Sequence, residues 1–215
     1  MKPEFKKYMD LLLEWNEKIN LTAITEPKEV EIKHFEDCLT CLKSGYIKDG
    51  DKIVDVGTGA GFPGIVLKIM RPDTQLTLLD GLNKRLIFLN EVLSALGLEA
   101  KTVHMRAEDG GKSAEHREQY DIACARAVAR LNVLSEYCLP YVKKGGFFVA
   151  MKGPTASDEM TDAKKAISIL GGGESKIICE TLPENEQRSF IITKKISQTP
   201  PKYPGNSAKI SKQPL

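Results

Sequence analysis

The run Asp55-Val-Gly-Thr-Gly-Ala-Gly-Phe-Pro-Gly64 sets glycines at 57, 59 and 61 behind an acid, at the end of a short apolar segment. Glycines adopt positive φ and let a ligand approach the backbone closely, so a loop of this kind can cradle a nucleoside cofactor. A dinucleotide loop needs G-x-G-x-x-G/A. Counted from Gly57, its third small residue would fall on Phe62, which is too large. Asp80 lies 23 residues beyond Gly57 and closes a second apolar run. A carboxylate there can accept both hydroxyls of a cofactor ribose; otherwise it caps the next helix. Behind a third run comes Met105-Arg-Ala-Glu108, where the backbone of Ala107 and Glu108 can reach a base edge. A fourth run ends in Cys124-Ala-Arg-Ala-Val-Ala-Arg130.

These residues need a scaffold that brings strand ends together. Short apolar strands are predicted at 52–56, 75–79, 99–104, 120–125 and 146–152, with helices at 63–70, 84–96, 131–139 and 157–170 between them. Pro72, Gly97, Pro140 and Gly171-Gly-Gly173 serve as stops. A final strand pair, 176–181 and 188–195, has no helix between its members and is expected to be antiparallel at one edge. Repeated strand–helix units imply an α/β fold, a mostly parallel seven-stranded sheet with helices on both faces. Ahead of it, Phe5, Tyr8, Met9, Leu12, Asn16 and Ile19 follow helical spacing, apolar or aromatic except for Asn16. Thr25 and Pro27 begin a second helix that runs to about Lys43. The expected division is an arm over 1–46, a cofactor domain over 47–196 and a basic tail over 197–215.

Glycines at 57, 59 and 61 behind Asp55 resemble motif I of the Rossmann-like methyltransferases, which implies S-adenosyl-L-methionine as cofactor. The site then comprises Gly57, Thr58, Gly59 and Asp80. The region after the fourth strand carries no Asn/Asp-Pro-Pro-Tyr motif of the amine methylases. Cys124, the candidate nucleophile for carbon methylation, lies inside a strand, where a buried thiol is ordinary. What remains suits an acceptor that is already nucleophilic, such as a ring nitrogen, which needs proximity and alignment more than a base.

The 215 residues carry 31 Lys and Arg against 29 Asp and Glu, so the chain is no strongly basic coat protein. From Lys194 onward there are five lysines and no acid; such a tail is expected to be a solvated terminus, or else to lie along a phosphate backbone. Five cysteines without framework spacing read as reduced thiols. Cys38 and Cys41 form a lone C-x-x-C, which cannot complete a zinc site, and the widely separated histidines suggest no metal. With no membrane-length apolar stretch and no secretory start, the expected setting is cytoplasmic, without a membrane.

Several segments together resemble the bacterial small-subunit ribosomal RNA methyltransferase G family, also called glucose-inhibited division protein B. They are Trp15-Asn16 with Ile19-Asn20-Leu21-Thr22-Ala23; His34 with Asp37; the 55–64 loop; Asp80 with Lys84-Arg85; Arg106-Ala107-Glu108; Arg126-Ala127; and Lys152-Gly153. The resemblance implies an enzyme that methylates N7 of a guanine in 16S ribosomal RNA to 7-methylguanosine, acting on the RNA or the ribosomal subunit. The sequence carries no sign of an oligomer, and a monomer is expected. The resemblance further implies that Gly57, Phe62, Ala107, Glu108 and Arg126 contact the cofactor. Arg126 and Lys152 would position the RNA, and Asn20 and His34 would stand at the mouth of the site. Asn20 as a turn residue and His34 as a helix residue bonded to the core are the alternatives. The tail departs from the family pattern: Tyr203-Pro204 is followed by Gly-Asn-Ser-Ala-Lys209, without the usual basic pair. A nicotinamide oxidoreductase and a non-catalytic RNA-binding protein with a nucleoside cofactor remain as alternatives; the first lacks any Tyr-x-x-x-Lys.

Overall fold

The computed structural model describes residues 1–215, the side chain of Glu184 excepted. Seven strands form one sheet: β1 (Lys52–Val56), β2 (Gln75–Asp80), β3 (Lys101–His104), β4 (Tyr120–Arg126), β5 (Val142–Lys152), β6 (Gly172–Thr181) and β7 (Gln187–Lys195). Their order is β3-β2-β1-β4-β5-β7-β6. β7 pairs antiparallel with both β5 and β6, and the β1–β5 pairs are parallel. The order reverses between β1 and β4, and in such sheets ligands bind at the carboxyl ends of the strands beside that switch.

Strand alternation divides the core into two layers. Ile53, Ile122, Cys124, Val149 and Met151 face α1 (Pro3–Asn16), α3 (Asp37–Lys43), α4 (Gly64–Met70) and α5 (Asn83–Leu96). Val54, Val56, Ala123, Ala125, Phe148 and Ala150 face α7 (Leu131–Cys138) and α8 (Ala156–Ile169). The same parity sends Arg126 toward the arm and Lys152 toward α8. The N-terminal arm shares the first layer, since Phe5, Tyr8, Leu12, Phe35, Cys38 and Cys41 are buried with Phe62 and Ile65. The 27–43 helix is not uniform: α2 (Pro27–Val30) passes into a π-helical turn, Glu31–Glu36, before α3. Such turns are frequent at functional sites.

Several boundaries change. β3 begins at Lys101, later than read; β5 begins at Val142, which pairs with Tyr120, and β6 at Gly172, which pairs with Lys195, both earlier than read. Gly172 fits there because a Cβ would lie 2.6 Å from Ile167 and 2.8 Å from Thr193. The loop after β3 contains the short helix α6 (Ala107–Gly110).

The tail is docked, against the expectation of a solvated terminus. Arg117 donates to the carbonyls of Gly111 (2.8 Å), Thr199 (2.7 Å), Pro200 (3.3 Å) and Tyr203 (2.8 Å). Glu118 accepts from the Thr199 amide and Glu136 from the Gly205 amide, each at 2.7 Å. The fully buried Lys195 ammonium donates to Leu139 O at 2.6 Å and to the Thr199 hydroxyl. Helix α9 (Ser207–Lys212), capped by Asn206, buries Ile210. Deleting 198–215 would strip partners from Lys195, Glu118 and Glu136. We expect the deletion to cost about 3 kcal/mol or more and to lower Tm by roughly 6–12 °C, read by thermal unfolding; an unchanged Tm would mean that the tail contributes nothing.

Candidate functional site

A cavity of about 510 Å³ opens at the carboxyl ends of β1, β2 and β4, within the roughly 300–1,000 Å³ of small-molecule sites. One end is the glycine loop. Gly57, Gly59 and Gly61 all have positive φ, at 69°, 60° and 95°. The Gly57 and Thr58 amides donate to Leu79 O, which ties the loop to β2. A Cβ on Gly57 would stand 3.0 Å from Val128, whereas one on Gly59 would meet only Gly57 O at 3.9 Å and project into open cavity. Asp80 forms the adjoining wall. Its Oδ1 accepts from the Leu82 amide at 2.8 Å, and its Oδ2 from the Gly59 amide at 2.9 Å and Arg85 at 3.2 Å. A carboxylate has about four acceptor positions, so Asp80 keeps capacity for a ribose hydroxyl. Ala107 and Glu108 line the same end, in the first turn of α6, whose leading amides have no intrahelical acceptor. Glycine cradle, carboxylate and amides therefore fit a nucleoside carrying a small polar chain.

Asp55 lies beneath the loop, fully buried. Its Oδ2 accepts from the Thr58 hydroxyl at 2.7 Å and the Gly64 amide at 2.8 Å, while Oδ1 has no partner. Burial pushes its carboxyl up to about 6. A carboxyl raised in this way favours folding when protonated. The stabilisation is present below pH 4 and is lost as the pH rises through 6. Two pKa units correspond to about 3 kcal/mol. The difference in urea-unfolding free energy between wild type and Asp55→Asn should therefore change by roughly that amount between pH 4 and pH 7.5. A pH-independent difference would remove Asp55 from this role.

The other end of the cavity is built by the arm. Arg126 leaves β4 toward it, and its side chain is 14% exposed. Nη1 donates to Lys33 O and to Asp37 Oδ2, both at 3.0 Å, and Nη2 to His34 Nδ1 at 2.9 Å. The guanidinium lies 4.9 Å from the Phe62 ring centroid. Phe62 also stacks on His34 (4.6 Å) and Tyr8 (5.2 Å), and the Tyr8 hydroxyl donates to Ala60 O. Burial and the Arg126 charge drive the His34 imidazole down to about 3, so it is neutral. Burial raises the Asp37 carboxyl, and Arg126 and Arg188 draw it back.

Arg126 also borders a second cavity of about 340 Å³, lined by Lys33, His34, Asp37, Met151, Lys152 and Arg188 among others. His34, Arg126 and Ala127 form walls of both cavities. Ala127 has φ of 55° without being glycine, the kind of backbone strain that collects at functional sites.

The structure therefore brings Gly57, Thr58, Gly59, Phe62, Asp80, Ala107, Glu108, Arg126 and His34 onto one cavity. Asn20 stands apart: it is exposed, and the neighbouring Leu21 and Thr22 line the wall instead. The Lys152 ammonium is engaged within the fold, donating to Ala129 O at 2.6 Å and pairing with Glu159 at 2.7 Å. Glu159 in turn accepts from the Leu131 amide, so Lys152 holds the 127–131 loop. Sequence reasoning missed Thr22, Arg188, Tyr137 and Ser207; the last two line the first cavity from α7 and the docked tail. Cys38, Cys41 and Cys124 are core thiols, fully buried, with ionisation suppressed by burial.

Comparison with known proteins places the fold and the family. The chain matches solved structures of a methyltransferase from Pyrococcus furiosus (TM-score 0.62, 14% identity, 91% of this chain and 100% of that one) and a SAM-dependent O-methyltransferase from Thermotoga maritima (TM-score 0.56, 16% identity, 87% and 72%). At these identities the likeness concerns the fold: a class I methyltransferase sheet. The sequence relatives are much nearer. The chain is 54% identical over 211 residues to ribosomal RNA small subunit methyltransferase G of Alkaliphilus oremlandii, covering 97% of this chain and 88% of the relative. It is 50% identical over 216 residues to the protein of the same name from Clostridium perfringens, covering 99% and 90%. The family model for rRNA small subunit methyltransferase G matches residues 1–190, the arm and the sheet as far as the middle of β7. With half its residues shared along nearly the whole of both partners, the chain belongs to the rRNA small subunit methyltransferase G family.

Proposed function

We propose that this protein transfers the methyl group of S-adenosylmethionine to N7 of a guanine in 16S ribosomal RNA, in the cytoplasm. The observation that carries the reading is a cofactor-sized cavity sharing a wall with a second cavity, with no free base on that wall. His34 has its Nδ1 lone pair filled by Arg126, and Asp37 is held by Arg126 and Arg188 (3.3 Å). An amine or carbon acceptor would need a group to take a proton; guanine N7 has a lone pair and no proton to lose.

In this reading Gly57, Thr58 and Gly59 hold the amino-acid part of the cofactor, Asp80 the ribose, and the backbone of Ala107 and Glu108 the adenine. The sulfonium supplies an electrophilic methyl carbon. The protein's part is alignment and exclusion of water: Phe62, His34 and Arg126 form the wall past which the guanine enters, and Lys152 fixes the 127–131 loop that borders the entry. Asn20, exposed and next in sequence to the cavity residues Leu21 and Thr22, would meet RNA outside the cavity. Arg126 spends three of its five N–H donors on the arm, orienting His34 and Asp37, and keeps two for the cofactor or the acceptor.

The test is incubation with S-adenosylmethionine and either protein-free 16S RNA or small subunits from a strain lacking the modification, followed by nucleoside mass analysis. New 7-methylguanosine on either substrate supports the reading. Cofactor binding with no transfer to either would leave a non-catalytic binding protein and overturn it.

A further inference from the structure

The proton arrangement around Thr22 is fixed by its neighbours. Arg126 is protonated at any relevant pH, so the 2.9 Å contact from its Nη2 makes His34 Nδ1 an acceptor. A proton on Nδ1, shared with Lys33 O at 3.2 Å, would face the guanidinium donor head-on. The imidazole proton is therefore on Nε2, which lies 2.9 Å from the Thr22 hydroxyl oxygen and donates to it. That oxygen also accepts from the Ile24 amide at 3.1 Å. With both lone pairs filled, a hydroxyl can act only as a donor. Its backbone is pinned as well: the Asn16 carboxamide accepts from the Leu21 and Thr22 amides at 2.8 and 2.9 Å. Thr22 lines the cavity and touches His34, whose ring is also a wall of the second cavity.

We propose that the Thr22 hydroxyl is a specificity determinant, donating a hydrogen bond to O6 of the guanine whose N7 is methylated. Resting on the function proposed above, this names the group that reads the base. O6 and N7 lie on the same edge of guanine, and both are acceptors; adenine presents an amino donor at position 6. A donor whose lone pairs are already occupied cannot turn round to accept from that amine. Thr22 thus favours guanine by attraction and opposes adenine by a donor–donor clash.

The test compares kcat/KM on ligated 16S RNA carrying guanine, 2-aminopurine (no group at position 6) or 2,6-diaminopurine (an amine there) at the target base. Wild type should favour guanine over both by at least tenfold, approaching a hundredfold for 2,6-diaminopurine. Thr22→Val should bind S-adenosylhomocysteine within about twofold of wild type while the guanine/2-aminopurine ratio falls to within about threefold of unity. Thr22→Ser should keep the wild-type ratio. Wild type that methylates all three RNAs alike would overturn the inference without any variant. So would an unchanged ratio in Thr22→Val, or a tenfold loss of S-adenosylhomocysteine affinity, which would give the hydroxyl to the cofactor. Absence of transfer to any RNA by wild type would overturn the proposed function itself, and this inference with it.

Discussion

Arg126→Ala should lower methyl transfer at least a hundredfold and destabilise the protein by about 3–5 kcal/mol, the cost of breaking a buried ion pair from one side. The guanidinium bonds three groups of the arm: Asp37, the Lys33 carbonyl and His34. Its removal leaves Asp37, whose Oδ1 has no hydrogen-bond partner, with only the longer Arg188 contact. It also frees the His34 tautomer and uncovers the Phe62 face. Arg126→Lys should restore little, because one ammonium cannot span the three acceptors that the planar fork reaches. Stability and catalysis can be separated with the double variant Arg126→Met/Asp37→Leu. Replacing a buried ion pair with apolar residues is often near neutral, so urea unfolding should return to within about 2 kcal/mol of wild type. Single-turnover transfer should stay low. Recovery of both would make Arg126 purely structural.

How much of this was legible in the sequence depended on the range of the interaction. The strand–loop–strand unit holding Gly57 and Asp80 could be read because its signals are local: a run of glycines, an acid, two apolar strands. Parity along β4 and β5 could also have been used. Arg126 continues the alternation of Ile122 and Cys124 toward the arm, and Lys152 that of Phe148 and Ala150 toward α8, which explains why their partners differ. The Arg126–His34–Thr22 chain, by contrast, joins residues up to 104 positions apart, Thr22 to Arg126. It depends on a π turn that no local pattern announces. Beside the segments that carry the family resemblance, the lone polar Asn16 in an apolar stripe was a visible sign, and it pins Leu21 and Thr22. The tail was illegible for another reason. Arg117 holds it through the backbone carbonyls of Thr199, Pro200 and Tyr203, and a carbonyl looks the same at every residue.

Gly61→Ala should be among the most damaging single substitutions in the chain, at about 3–5 kcal/mol, although it adds one methyl group. The residue has φ of 95°, outside the range that L side chains ordinarily adopt, a strain of about 1–3 kcal/mol. The new Cβ would overlap the Tyr8 hydroxyl and lie 2.9 Å from both Ile65 Cδ1 and Leu89 Cδ2, adding about 1–3 kcal/mol of overpacking. Tyr8 cannot swing aside cheaply, since it is fully buried, stacked on Phe62 and bonded to Ala60 O. The clash therefore passes to the arm, which carries the His34 wall, and to the glycine loop at the other end of the cavity. Adding Tyr8→Phe removes the hydroxyl and should recover about 1–2 kcal/mol, leaving the backbone strain. Urea unfolding of the single and double variants measures both parts, and S-adenosylhomocysteine titration should show affinity falling with the single variant. A Gly61→Ala protein within about 1 kcal/mol of wild type would mean that the arm yields at this contact. The close fit between Tyr8 and the glycine loop would then not be what sets the arm against the sheet.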